Sequence, residues 1–141
     1  MAISKEERSL KISIKGQDLE QVKEFVYLGG VVSQDGRCEA DIKLRIGLTY
    51  AVLNKLANIW NSNRLAMGIK MQVYKAMVLP VLIYGSESWT MRKQDENRVL
   101  VAEMSWLRTI TSISRLQHIR NKEIRKITGN DETAVEKIRT R

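Results

Sequence analysis

Phe25-Val-Tyr-Leu-Gly-Gly-Val-Val-Ser-Gln-Asp-Gly-Arg-Cys38 decides how the rest of this chain is read. It closes an extended segment at a glycine pair, Gly29 and Gly30, turns again at Asp35-Gly36, and opens onto a long helical pattern. Upstream, Leu10, Ile12 and Ile14 alternate with Lys11, Ser13 and Lys15, the period of a half-buried strand. Gly16-Gln17-Asp18 supplies a turn, and Val22, Phe25 and Tyr27 continue a less regular return strand. The pattern predicts one β-hairpin. A lone hairpin is marginal in water, so helices or a further sheet must cover its apolar face.

Downstream the period changes. Glu39 or Asp41 falls in a first helical turn, where a carboxylate favours the positive end of the helix. Ile42, Ile46, Thr49, Leu53, Leu56 and Trp60 then recur at spacings of three and four, predicting a helix about 20 residues long. Lys43, Arg45 and Lys55 lie off this stripe and are expected to face out, and Asn61-Ser62-Asn63 ends the helix. Met67, Met71, Tyr74, Val78 and Val81 form a second stripe from near Ala66. Pro80 removes a backbone donor and predicts a kink near Met77 to Leu79, with Gly85 as a stop. A third helix over 94–111 carries Val99, Leu100, Met104, Trp106, Leu107 and Ile110. Asn121 to Thr128 predicts a short helix ended by Gly129, and Asn130 to Arg141 is expected to fray. The fold class is therefore mainly α: a three-helix bundle with an N-terminal β-hairpin (1–34), a helical body (35–112) and a short basic C-terminal helix in 113–141. Trp60, Trp106 and Leu53 are the expected main core contributors, at roughly 1.5–3 kcal/mol for each large apolar side chain buried. The methionines are expected to fill the core.

The chain has 141 residues, one domain at most by length, and 43% apolar residues, enough for a core. Residues 1–20 are charged throughout and carry no apolar signal segment. The longest apolar run, Ala76 to Tyr84, is 9 residues and contains Pro80, too short for a membrane span. Cys38 is the only cysteine, which excludes an internal disulfide and a cysteine-based zinc site. It reads as a small residue at a helix start. These features are compatible with an intracellular location, nucleus or cytoplasm.

The net charge of +8 is unevenly spread. Residues 1–36 and 76–104 each carry net −1, while 37–75 and 105–141 each carry net +5. Two such basic blocks attract phosphate backbones without sequence preference. The competing reading is the solvated surface of a basic protein.

Five motifs bear a family likeness. Phe25, Tyr27, Leu28 and Gly29 form a Phe-x-Tyr-Leu-Gly element, followed by Asp35-Gly36-Arg37-Cys38 and Ile42-x-x-Arg45-Ile46. Leu82-x-Tyr84-Gly85-x-Glu87-x-Trp89 comes next, then Asn121-x-Glu123-Ile124-Arg125. Over about residues 3–129 this set resembles the carboxy-terminal part of the reverse transcriptase of non-LTR (LINE-type) retrotransposons. There it follows the catalytic palm and comprises the primer-grip hairpin and the helical thumb. The resemblance implies a thumb-like bundle and a primer-grip-like role for Phe25, Tyr27, Leu28, Gly29 and Gly30. For Phe25 and Tyr27 a strand end packed on the thumb is an equal alternative. Met1-Ala2-Ile3-Ser4 resembles the strand that follows a Lys-Thr element in the family, so the chain is expected to begin inside a polymerase frame. Ser86 stands where the family often carries a cysteine, and Gln117 where it carries an acid.

The chemistry of polymerisation is missing from the sequence. Two-metal phosphoryl transfer needs paired carboxylates, and the family's palm supplies an Asp-Asp turn. No adjacent Asp pair exists here; Glu6-Glu7, Asp95-Glu96 and Asp131-Glu132 read as surface charge. There is no Gly-x-x-x-x-Gly-Lys phosphate loop, and His118 is the only histidine, expected at the surface or in packing. The expected role is a non-catalytic fragment that holds template–primer nucleic acid, with no cofactor of its own and magnesium confined to a palm outside this chain. The candidate contact residues are Arg37, Lys43, Arg45, Lys55, Arg64, Lys70, Arg115, Arg120, Lys122, Arg125 and Lys126. The expected partners are an RNA–DNA or DNA duplex and the palm and fingers of a polymerase, with no membrane. The alternative is a helical protein-interaction module, self-associating through apolar surface, or a non-functional retroelement remnant.

Overall fold

A computed structural model of the protein describes residues 11–141. The expectations placed on Leu10, on Met1 to Ser4 and on Glu6-Glu7 lie outside the described residues. Antiparallel strand pairs are followed by a helical bundle, so the chain is mainly helical with short strands at its N-terminal end.

The single predicted hairpin is two. Strand β1 (Ser13–Ile14) pairs with β2 (Gln17–Asp18), and β3 (Glu24–Tyr27) pairs with β4 (Gly30–Ser33). Period-two alternation located the first strand but not its partner. The return strand inferred at Phe25 and Tyr27 instead turns back on itself at once. Leu28 and Gly29 both have positive φ (48° and 78°), which makes a two-residue turn of the twist that hairpins favour. Gly29 suits that geometry, whereas Leu28 holds it against its own Cβ, at a cost of about 1–2 kcal/mol. A side chain at Gly30 would meet Asp41 Oδ1 and Tyr27 O at 3.6 Å, ordinary contact, so Gly30 is not there for a close approach. Strand β4 is half-buried against the following helix, while β3 is exposed along its length.

Helix α1 (Glu39–Lys55) carries Glu39 and Asp41 in its first turn. It breaks at Leu56, and α2 (Ala57–Trp60) adds one turn. The predicted helix of about 20 residues is thus two pieces. Its stripe is as expected: Ile42, Thr49, Leu53 and Trp60 are buried, with Ile46 and Leu56 packed beside them. The Trp60 indole Nε1 donates to Leu53 O at 2.8 Å, so the largest core side chain also satisfies its polar atom.

The Pro80 interruption takes a specific form. Helix α3 (Met67–Val73) passes into a π-helical turn (Tyr74–Val78), and α4 (Leu79–Ile83) restarts with Pro80 in its first turn. A proline cannot donate to the carbonyl four residues back, and widening to a π turn accommodates that loss without ending the rod. Leu79 and Leu82 are buried past the turn, rather than Val81. Gly85, with φ 74°, makes the stop.

Helix α5 (Lys93–Thr111) is the central element; Val99, Met104, Trp106, Leu107 and Ile110 are buried on it. Asp95, read from sequence as surface charge, is buried, and its carboxylate accepts from Arg92 N at 3.1 Å to cap this helix. Glu96 pairs with Arg139, so this acidic pair is structural. Helix α6 (Asn121–Thr128) forms as expected and ends at Gly129 with φ 61°. The segment beyond does not fray. Helix α7 (Ala134–Arg139) buries Ala134, Val135 and Ile138. Thr133 caps it: Glu136 N donates to Thr133 Oγ1 at 3.1 Å, and Thr133 N donates to Glu136 Oε2 at 2.6 Å. Among the described residues no helix is long and apolar enough to cross a membrane.

Candidate nucleic-acid interface

Three of the motif segments, the hairpin turn, the start of α1 and Tyr84–Trp89, meet at one place, and what joins them is polar. Asp41, one turn into α1, accepts from Val31 N at 3.0 Å on β4 and from Trp89 Nε1 at 2.7 Å. Arg45, the next turn along, donates from Nη2 to Gly29 O at 2.6 Å in the hairpin turn. Its guanidinium lies 4.4 Å from the centre of the Tyr84 ring, within cation–π range. Tyr84 Oη donates in turn to Leu28 O at 3.3 Å. The hairpin turn, α1 and the Tyr84–Trp89 segment are therefore cross-linked by two charged side chains four residues apart on one helix. Both are buried, Arg45 to 6% exposure, with its Nε 4.0 Å from Asp41 Oδ1. An open groove of about 660 Å³ lies over this junction, lined by Tyr27, Leu28, Val31, Tyr84 and Glu87 among others. Its charges balance: Arg45 faces Asp41, and Arg141 lies 3.9 Å from Glu87.

Arg45 was expected to face out, and it does not; its charge is spent inside the fold. The same holds for Lys70. That side chain is 8% exposed, and its Nζ donates to Trp60 O at 2.6 Å, a cation on the carbonyl end of α2. Arg125 is half-buried and donates from Nη2 to Glu103 Oε2 at 2.8 Å. Arg37 is exposed but paired with Asp35 at 3.3 Å, and Lys43 is paired with Glu39 at 2.9 Å. Lys55, Arg64, Arg115, Arg120, Lys122 and Lys126 are exposed, and none makes an ion pair or side-chain hydrogen bond among the described residues.

The last four of these lie together in 115–126. Arg115 and Arg120 lie on the loop between α5 and α6, Lys122 and Lys126 on α6, and the loop is built from α5 outward. Ser112 (φ 56°) turns the chain out of the helix, a short 3-10 turn (Arg115–Gln117) follows, and His118 (φ 53°) turns it back into α6. Arg108 holds both feet: Nη1 lies 3.5 Å from Ser114 O, and Nη2 donates to Ile119 O at 2.7 Å and to Asn121 Oδ1 at 3.1 Å. Ile113 and Ile119 pack on the core at the same two feet, and His118 is exposed at the tip.

The primer-grip-like residues are placed differently. Phe25 and Tyr27 share a face of β3 with ring centres 6.5 Å apart, and both are exposed, as are Val26 and Leu28. Gly29 and Gly30 serve the turn and its contact with Arg45 and Asp41. Cys38 immediately precedes α1 and is buried; its thiol makes no cap bond to the helix and lies 3.5 Å from Thr90 O. Burial pushes its thiol pKa up, which keeps it protonated and unreactive. Among the described residues no group of His, Cys, Asp or Glu side chains is arranged to hold a metal ion.

Sequence reasoning placed Asp41 in the first turn of α1 but missed its bonds to Val31 and Trp89, and it missed Glu103 and Asn130. Glu103, 1% exposed on the buried face of α5, accepts from Arg125, from Asn130 Nδ2 at 3.1 Å and from Ala134 N at 3.0 Å. The available signal was a carboxylate four residues after Val99 and three before Trp106, on the apolar stripe itself.

No family model matches the chain, and no solved structure matches it. Over 99 residues, 70% of its length, the chain is 30% identical to an uncharacterized transposon-derived protein of Caenorhabditis elegans. The match spans 35% of that relative, so the chain corresponds to about a third of the relative's length.

Proposed function

We propose that this chain is a transposon-derived, non-catalytic module that grips a template–primer duplex by its phosphates, comparable to the primer-grip and thumb region of a LINE-type reverse transcriptase. The observation that carries this reading is the set Arg115, Arg120, Lys122 and Lys126, four exposed cations within twelve residues without a carboxylate partner among the described residues. A duplex backbone is a dense line of negative charge, and each cation that meets a phosphate releases condensed counterions. The similarity to a transposon-derived protein supports a retroelement origin. The absence of an adjacent Asp pair from the sequence supports a holding role, with chemistry left to other parts of a polymerase.

Fluorescence anisotropy with a labelled RNA–DNA duplex tests the reading. Four phosphate contacts give a log–log salt slope of roughly −3.6 on B-DNA. The double variant Lys122→Glu, Lys126→Glu is expected to bring that slope toward zero by about 2. Arg45 and Lys70 are unsuitable for charge reversal, because both are internal. A folded protein that does not bind at low salt, or binds with no salt dependence, overturns the reading.

The exposed apolar set on β3 and its turn, Phe25, Val26, Tyr27 and Leu28, favours a second reading, a protein-interaction module. Sedimentation that stays monomeric at all concentrations and in the presence of candidate polymerase domains counts against it.

A further inference from the structure

Leu116 is 86% exposed, more than any other large apolar side chain among the described residues. It sits at the tip of the 113–120 loop, between Arg115 and His118. Surface leucines are common and usually mean little. Three observations set this one apart. The loop is held in shape by the Arg108 bonds to Ser114 O and Ile119 O, and by Ile113 and Ile119 packed at its feet. Ser112 and His118 both adopt left-handed backbone, a strained choice for non-glycine residues and one that persists only where the surroundings impose it. The apolar tip is flanked in sequence by Arg115 and Arg120 on the loop and by Lys122 at the start of α6, all exposed and without carboxylate partners among the described residues.

We infer that the 113–120 loop is a wedge: the flanking cations seat on phosphates of a duplex, and the Leu116 side chain enters the minor groove and separates a base step. This rests on the nucleic-acid reading above and specifies how the basic segment engages its partner. An apolar side chain among cations matches a polyanion that also offers an apolar interior, which a nucleic-acid base stack does. Neither a plain anionic surface nor a neutral apolar surface matches both parts. Pre-shaping of the loop means that little ordering entropy is lost on insertion. The step that opens is the most deformable one available, so the wedge favours flexible pyrimidine–purine steps or a mismatch over a stiff A-tract.

The test uses the full chain and Leu116→Ala, with a labelled RNA–DNA duplex carrying a fluorescent base analogue whose emission rises when it is unstacked. The exposed position makes misfolding of the variant a minor concern, and circular dichroism and thermal melting check it directly. The expected result is a rise in emission with the wild type that Leu116→Ala abolishes. Affinity should fall roughly tenfold, in line with the loss of one buried leucine side chain, while the salt slope is unchanged. Preference for a mismatched duplex over an A-tract duplex should disappear with the same variant. Duplex binding that is salt-dependent but indifferent to Leu116, with no change in base stacking, overturns the wedge and leaves the phosphate-gripping reading standing. No duplex binding by the wild type overturns both. A concentration-dependent self-association that Leu116→Ala abolishes would assign the tip to a protein contact, and would also overturn the wedge.

Discussion

Asp41 on α1 and Glu103 on α5 each accept a backbone N–H from a segment toward one end of the described chain, Val31 N and Ala134 N, and a side-chain N–H besides, yet the two ends are in different states. Glu103 fastens α6 and α7, which bury Ile124, Ala134, Val135 and Ile138. Asp41, with Arg45, fastens the β3–β4 hairpin, whose Phe25, Val26, Tyr27 and Leu28 remain exposed. Hydrogen bonds position a segment, but their net worth is small; apolar burial supplies the larger share of stability. The C-terminal helices are thus both positioned and folded in. The hairpin is positioned only, held by its turn and by β4, with an apolar outer strand left for something else to cover.

The comparison breaks most sharply at Glu103. Glu103→Ala removes the carboxylate from the half-buried Arg125, which keeps only its bond to Asn130 O, and leaves Asn130 Nδ2 and Ala134 N without acceptors. Removing one partner of a buried pair costs about 3–5 kcal/mol. Urea denaturation should show that loss, and hydrogen exchange should place it in 121–139. An effect below about 1 kcal/mol would mean that water reaches this carboxylate in solution. Asp41→Ala comes second. It orphans Val31 N and Trp89 Nε1, at about 1–3 kcal/mol for a buried donor left unsatisfied. Exchange protection should be lost in 24–33 while α5 keeps its own. Loss in both regions together would show that the hairpin is part of the cooperative core.

Legibility in the sequence follows the same division. Trp60, Trp106 and Leu53 were readable as core because apolar periodicity records burial directly. Arg45 was not. Periodicity identifies one face of α1, but this helix packs on two, and the second face meets the hairpin through polar atoms that leave no apolar trace. Lys70 misled for a related reason: its long stem crosses the core and only its tip finds a carbonyl, which no spacing rule reveals. Pro80 announced a break, but the choice of a π turn over a kink depends on what packs around it. The set of exposed, unpaired cations was half legible. Charge blocks pointed to 37–75 and 105–141, while the separation of free cations from paired ones needed the positions of Asp35, Glu39 and Glu103.

Helix α7 shows that a local signal can be present and overlooked. Thr133-x-x-Glu136 is a capping box, and the polar character of 130–141 concealed it. Thr133→Ala should cost about 1 kcal/mol. The Thr133 backbone N–H, with its hydroxyl, holds the Glu136 carboxyl below the usual glutamate range. A depressed folded pKa means that the contribution is present above the unfolded value and lost as pH falls through the folded one. The difference between wild type and Glu136→Ala, which removes the titrating carboxylate, should therefore be full near neutral pH and shrink once the pH drops below about 4. Thermal melts at several pH values check this; a difference that grows on acidification would assign the cap's effect to some other group.

The smallest expected effect is the most informative about the open end. Phe25→Ser replaces a half-exposed aromatic on the outer strand, stacked only on Tyr27. Surface substitutions of this kind usually fall within about 0.5 kcal/mol. If the hairpin is uncovered in solution, the midpoint in urea should barely move, and solubility should improve as an apolar patch shrinks. A cost above about 1 kcal/mol, larger at higher protein concentration, would mean that Phe25 is already buried against another copy. The hairpin would then be no longer merely positioned, and the contrast between Asp41 and Glu103 would close: both carboxylates would be fastening segments with buried apolar faces, one within the chain and one between chains.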